Sequence, residues 1–190
     1  FNTVANRGRP PRLPAVIIQR IHSDNGGELI SAHFFELCDA EATTRTFGPA
    51  YIHELNGMAE RAIGDICTKT RTLLLSSGAN VKYWVYAAAA AVDRHNNTPS
   101  LQSPTSTPIT RLNGEIPNLL SIMPFGCAAI ATTNSANIKK SDMSPRGHPA
   151  IHLGRATDTP GAFYTLLRDV GRIATTSDVL FSERSFPWRP

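Results

Sequence analysis

Apolar residues recur at Ala59, Ile63, Ile66, Thr70 and Leu73, a helical period that no strand can satisfy. Asn56-Gly57 is turn chemistry before the run, and Gly78 is a stop after it. The spacing predicts a helix over 58–76. A second helix is predicted over 81–96, where Trp84, Ala87, Ala88, Ala91 and Val92 fall on one stripe. Alanine is the best helix former, and small side chains let a helix pack close to its neighbour. Trp84 is expected in the core. Two consecutive helices with β-prone sequence on either side exclude an all-α and an all-β chain.

Before the helices, Val16, Ile17 and Ile18 are apolar in succession, as in a strand covered on both faces. That strand is predicted over 15–21, and Asp24 follows it beside the open turn of Gly26-Gly27. Phe34, Phe35, Leu37 and Cys38 are spaced for a short helix within 31–42, with Ser31 as its N-cap. The β-branched residues of 43–47 predict a short strand. The two carboxylates Asp24 and Glu60 are separated by thirty-five residues. One at a strand end and one in a helix's first turn can converge on a hard cation such as Mg²⁺, which takes oxygen ligands. Each acid alone also has a plain reading, as a turn residue or a partner of the helix dipole.

The run Ile21-His22-Ser23-Asp24-Asn25-Gly26-Gly27-Glu28, the gap, and Asn56-Gly57-Met58-Ala59-Glu60-Arg61 together resemble the integrase catalytic core of copia-type LTR retrotransposons, within the retroviral integrase group. The resemblance implies a ribonuclease-H-like fold with an Asp, Asp, Glu active site. In it Asp24 and Glu60 are catalytic ligands of Mg²⁺ or Mn²⁺, and Asn56, Gly57, Arg61 and Arg71 face nucleic acid. The family's zinc-binding segment and first catalytic Asp lie upstream of where Phe1 stands. The implied reaction is polynucleotidyl transfer: a DNA 3′ end is trimmed, and its 3′-hydroxyl attacks target DNA. The implied partners are DNA, through its phosphate backbone, and further integrase chains. The implied location is the nucleus, after a stage in a cytoplasmic particle.

Two departures from the family matter. His53-Glu54-Leu55 precedes Asn56 where the family carries a glutamine, and Gly64 stands where a basic residue is usual. Both remove expected DNA contacts. They favour a rival reading, a remnant without catalysis that binds nucleic acid or protein. His53 in that loop reads as a surface residue, and Glu28 as a loop charge.

Prolines 104, 108 and 117 mark 99–124 as an extended connector with short turns. Short β-prone runs follow at 128–133, 150–153, 162–167, 172–175 and 178–181, a spacing that predicts a small antiparallel sheet or barrel. Phe125-Gly126-Cys127, Gly154 with its flanks, and the run from Asp178 to Glu183 resemble the small Src-homology-3-like barrel that follows the copia core. The expected organisation is the C-terminal part of a catalytic core over 1–98, a connector over 99–124 and a small β-barrel over 125–185. The expected fold class is α/β: an incomplete ribonuclease-H-like mixed sheet with helices, then an all-β barrel.

The charge balance suits this without deciding it. Net charge is +4, compatible with a polyanionic partner. Arg7, Arg9 and Arg12 lie in a Pro-rich stretch that reads as a solvated linker or a phosphate contact. Cys38, Cys67 and Cys127 form no C-x-x-C, so neither a zinc finger nor a disulfide framework is expected, and a reducing compartment fits. No apolar run reaches the length of a membrane span.

Overall fold

The computed structural model describes residues 18–23, 26–47, 57–101, 103–114, 116–132 and 147–189. The chain forms two compact units, residues 1–63 with 109–115, and residues 64–108 with 116–190.

In the first unit, β1 (Arg20–Ser23) and β2 (Thr44–Phe47) pair in parallel, from Arg20 opposite Thr44 to Ser23 opposite Phe47. Helix α1 (Ala32–Ala40) makes the crossover that parallel strands require. Ser31 caps it as expected: its hydroxyl accepts from the Phe34 N–H at 3.3 Å and donates to the Glu28 carbonyl at 2.8 Å. Arg45 ties β2 to α1 through the Phe35 carbonyl at 2.8 Å and the Asp39 carboxylate at 3.0 Å, with its guanidinium over the Phe35 ring. The strand begins later than the apolar run suggested. Ile18 is outside the ladder and 57% exposed, and β1 buries only Ser23. Among the described residues β1 has one hydrogen-bonded neighbour, β2. Residues 15–17 of the expected strand lie outside the described residues.

Helix α2 (Gly57–Ser77) matches the 3.6 period. It stops at Gly78, whose φ of +72° is the left-handed conformation glycine adopts at no steric cost. The Ala79 N–H returns to the Leu74 carbonyl at 3.0 Å and the Gly78 N–H to Leu75 at 3.2 Å, the paired bonds of a Schellman ending. A 3-10 turn, Val81–Tyr83, leads into α3 (Trp84–Asn97). The described residues of the segment after it include a short helix, α4 (Pro108–Asn113), and a 3-10 turn at Leu119–Ser121.

Five antiparallel strands follow: β3 (Ala128–Thr132), β4 (Gly147–Arg155), β5 (Phe163–Leu167), β6 (Arg172–Thr176) and β7 (Val179–Ser182). Their order is β6-β5-β4-β3-β7. Among the described residues no ladder joins the outer strands β6 and β7. The Thr176 hydroxyl donates to the Thr132 carbonyl at 2.9 Å across that end of the sheet.

Helix α3 packs on β4 where β4 bulges, between His152 and Gly154. A Cβ on Gly154 would stand 3.4 Å from the Ala90 methyl, so the helix lies nearly on the strand backbone. This close approach selects the buried face. Ala87, Ala90 and Ala91 are buried, with Leu73, Leu74, Phe125 and Leu153 completing the core around them. Trp84 is 56% exposed and Val92 is 42% exposed, contrary to the expected core stripe. An indole does not fit between α3 and a strand in near-backbone contact, so the helix turns its alanines inward and Trp84 outward. A second cluster, Ala129, Ala131, Ala150 and Leu167, is completed by Ala174, Val179 and Phe181.

The tail after β7 folds back within the second unit. Trp188 stacks on Tyr83, with ring centroids 5.0 Å apart. Arg189 donates to the Ser76 carbonyl at the end of α2, where open carbonyls and the negative end of the helix dipole favour a cation.

Candidate nucleic-acid interface

Helix α2 carries the site residues that the structure describes. Glu60 lies in its first turn, where the positive end of the helix dipole favours an acid, and it is exposed. It has no ion pair among the described residues. Eleven residues on, close to three full turns, Arg71 returns to the same side of the helix, about 16 Å along the axis. Arg71 is exposed and unpaired in the same sense. Gly64 and Cys67 lie between them on that side, both exposed. The stripe therefore offers an acid, small surface residues and a cation in sequence.

Arg61 is exposed but turns back along the helix, its Nε donating to the Gly57 carbonyl at 2.9 Å. Gly57 is the first helical residue and half-buried. Asp24, Asn56, His53 and the arginines at 7, 9 and 12 lie outside the described residues. Glu28 is exposed in the turn before α1.

The other side of α2 holds a cluster that the sequence reading passed over. Asp65 accepts from Lys69 at 2.6 Å, an i,i+4 pair, and His95 of α3 approaches it at 3.4 Å. Lys69 also lies 2.9 Å from His95 Nδ1, to which it donates when the ring is neutral. The Lys69 hydrogen bond holds the Asp65 carboxyl below its ordinary range. The i,i+4 spacing was the visible signal; the partner on α3 was not. These residues line a cleft of about 690 Å³ whose wall includes Leu73, Ala91 and Pro108. Among the described residues no group of three or more His, Cys, Asp or Glu side chains is placed to hold a metal ion.

No protein-family model matches the chain. Over 171 residues, 90% of its length, the chain is 30% identical to the retrovirus-related Pol polyprotein from transposon RE1 of Arabidopsis thaliana and 29% identical to that from transposon RE2 of the same plant. Over 167 residues it is 27% identical to the retrovirus-related Pol polyprotein from transposon TNT 1-94 of Nicotiana tabacum. The chain is similar to part of a transposon Pol polyprotein. It spans 11% of the length of the two Arabidopsis polyproteins and 12% of the tobacco one. The relationship to Pol polyproteins expected from the motifs around Asp24 and Glu60 therefore holds along nine-tenths of the chain. Among solved structures, the simian T-cell lymphotropic virus intasome in complex with PP2A regulatory subunit B56 gamma aligns with 83% of this chain and 54% of its own, at 18% identity and a TM-score of 0.42. A likeness that loose bears on neither the chemistry nor the partners of this Pol-like chain. No helix among the described residues is long and apolar enough to cross a membrane.

Proposed function

We propose that this chain is part of a transposon integrase, with Glu60 as a metal-holding carboxylate and Arg71 as a phosphate contact. The observation that carries the reading is the α2 stripe: an exposed carboxylate and an exposed guanidinium on one side of a helix, neither of them in an ion pair among the described residues. The similarity to Pol polyproteins supports it. An unpaired carboxylate is the oxygen donor that Mg²⁺ or Mn²⁺ accepts. Asp24, which follows β1 in the sequence, supplies a second. The metal, when bound, supplies Lewis-acid activation of the attacking water or 3′-hydroxyl. Arg71 fixes the DNA by its phosphates, a contact that positions the duplex without reading its sequence. Arg61 and the Asn56-Gly57 pair border the same stretch of DNA. The five-stranded sheet of 125–185 is read as the Src-homology-3-like barrel, after a core segment over 1–98 and the 99–124 connector. The reaction is 3′-end processing and strand transfer, carried out in the nucleus by several integrase chains together.

A second reading, a binding module without catalysis, is favoured by Asp65. It is the acid nearest to Glu60 on α2, and its carboxylate is committed to Lys69. One experiment separates the two. The chain is joined to the upstream segment of its polyprotein and assayed for 3′-end processing with Mg²⁺ and with Mn²⁺. Metal-dependent product that disappears in Glu60→Gln supports the integrase reading. Product that persists in Glu60→Gln rules out the proposed role of Glu60, and no product with either metal favours the binding module.

A further inference from the structure

We propose that a groove beside the start of α3 binds single-stranded DNA, with bases against its aromatic side chains and phosphates on Lys82 and Arg168. The inference rests on the nucleic-acid reading above but uses residues remote in sequence from Glu60, so the two fail separately. Two pockets of the second unit adjoin at Lys82. One, of about 410 Å³, is lined by Tyr86, Tyr164 and Thr157 among others; the other, of about 340 Å³, by Tyr83, Arg168 and Trp188. Three of the chain's four tyrosines and one of its two tryptophans thus line two pockets that share Lys82. No carboxylate lines either pocket. Lys82 and Arg168 form no ion pair among the described residues. Aromatic faces interleaved with unpaired cations are what a single strand needs, since its unpaired bases present their faces and its backbone needs neutralising. A duplex keeps its base faces stacked inside and cannot use the rings.

The platform is also held in place before any ligand arrives. Tyr83 and Trp188 lie nearly parallel, 22° between planes, and both stay half-buried rather than closed into the core. Lys82 Nζ stands 5.1 Å from the Tyr83 ring centre. The Lys82 N–H is fixed by the Asn80 side chain at 2.9 Å, and the Trp188 backbone is packed against Gly78. Tyr86 and Tyr164 meet edge to face at 5.3 Å, and the Tyr164 hydroxyl donates to Asp158 at 3.1 Å. A ligand that stacks here loses little freedom in the protein on binding.

The test uses the full 190-residue chain carrying Trp84→Phe, so that Trp188 is its one tryptophan. Trp84 is exposed, so the change leaves the core untouched. Fluorescein-labelled oligothymidylate of about 12 nucleotides is titrated by anisotropy, with unlabelled oligonucleotide for tryptophan emission. The expected result is binding with quenching of Trp188, weakened about tenfold or more in Lys82→Glu/Arg168→Glu and little changed in Arg111→Glu, an exposed cation of α4 outside the groove. Circular dichroism confirms that each variant is folded. Unchanged affinity in the double variant, or binding without any change in Trp188 emission, overturns the proposal. Binding of duplex alone, lost in Arg71→Glu, also overturns it while leaving the integrase reading in place.

Discussion

The His152 ring sits edge-on to Phe181, with ring centroids 5.0 Å apart, and its Nδ1 has no hydrogen-bond partner among the described residues. Phe163 closes a second side at 5.5 Å. Burial disfavours the imidazolium here, and the charge of Arg94 adds to this, so the His152 pKa is pushed down to about 4. The unfolded chain takes up this proton near pH 6.5, whereas the folded chain waits until about 4. The stabilising contribution is therefore complete above pH 6.5 and is lost as pH falls from 6.5 towards 4. The shift corresponds to a total on the order of 3 kcal/mol. Urea midpoints at pH 7.5 and pH 4.5 measure it. His152→Phe is expected to flatten that difference; an equally steep loss in the variant would assign it to other groups.

Ala90 and Gly154 give a packing prediction. The strand and helix are already in near-backbone contact, and a Cβ on Gly154 would come within 3.4 Å of the Ala90 methyl. Ala90→Leu should therefore cost about 1–3 kcal/mol by overpacking, read as a lower urea midpoint. Val92→Leu on the exposed side of the same helix should change stability by less than about 0.5 kcal/mol.

These two positions also show where the sequence was legible. Punctuation with a local cause read through directly: Ser31 caps α1, Gly78 ends α2, and the turn-bounded β-prone runs became β3 to β7. The two strands around α1 were legible, but their parallel pairing was not read from the sequence. Nor was the orientation of α3, because two stripes one residue apart were both apolar. The one buried was chosen by Gly154, more than fifty residues away. Trp84 was misplaced for that reason. The Asp65–Lys69–His95 cluster was half-legible, as a helical i,i+4 pair whose third member comes from another helix. Of the candidate site, Glu60, Arg61 and Arg71 fell on the expected helix, because periodicity alone sets the face on which each stands.

Cysteine reactivity should report the α2 face. Cys67 is exposed on the Glu60–Arg71 side, while Cys38 and Cys127 are buried. Burial, helped by the negative charge of Glu183, also pushes the Cys127 thiol up to about 11, which suppresses its thiolate at neutral pH. A thiol reagent is expected to modify Cys67 first in the native chain, as peptide mass mapping would show. Duplex DNA should slow that modification. Equal rates with and without DNA would mean that this face of α2 does not meet the duplex.

Duplex affinity should depend steeply on salt and hardly on sequence, because phosphate contacts dominate it. Arg71→Ala removes one exposed cation and should lower the log–log salt slope by about 1, equally for unrelated sequences. Anisotropy titrations across a series of salt concentrations supply the slope. A loss confined to one DNA sequence would mean that Arg71 reads a base instead.

The 190-residue chain by itself is expected to yield no strand-transfer product with Mg²⁺ or Mn²⁺. Two metal ions held side by side repel each other, and carboxylates must offset that repulsion. On the proposed reading Asp24 and Glu60 provide two. Asp65 is a poor third: it lies five residues beyond Glu60, about 140° around the helix, and its Oδ2 is held by Lys69. Glu28 is exposed in the turn before α1, beyond the Gly26-Gly27 pair. The assay is strand transfer on a duplex oligonucleotide, run in parallel with Glu60→Gln and with Asp65→Asn. Product from the parent that is lost in Glu60→Gln and kept in Asp65→Asn would show that some other acid completes the set. Product lost in both would bring Asp65 into the site, with Lys69 displaced from it. Absence of product in all three, followed by activity once an upstream carboxylate is joined to the chain, is the outcome that the carboxylate count requires.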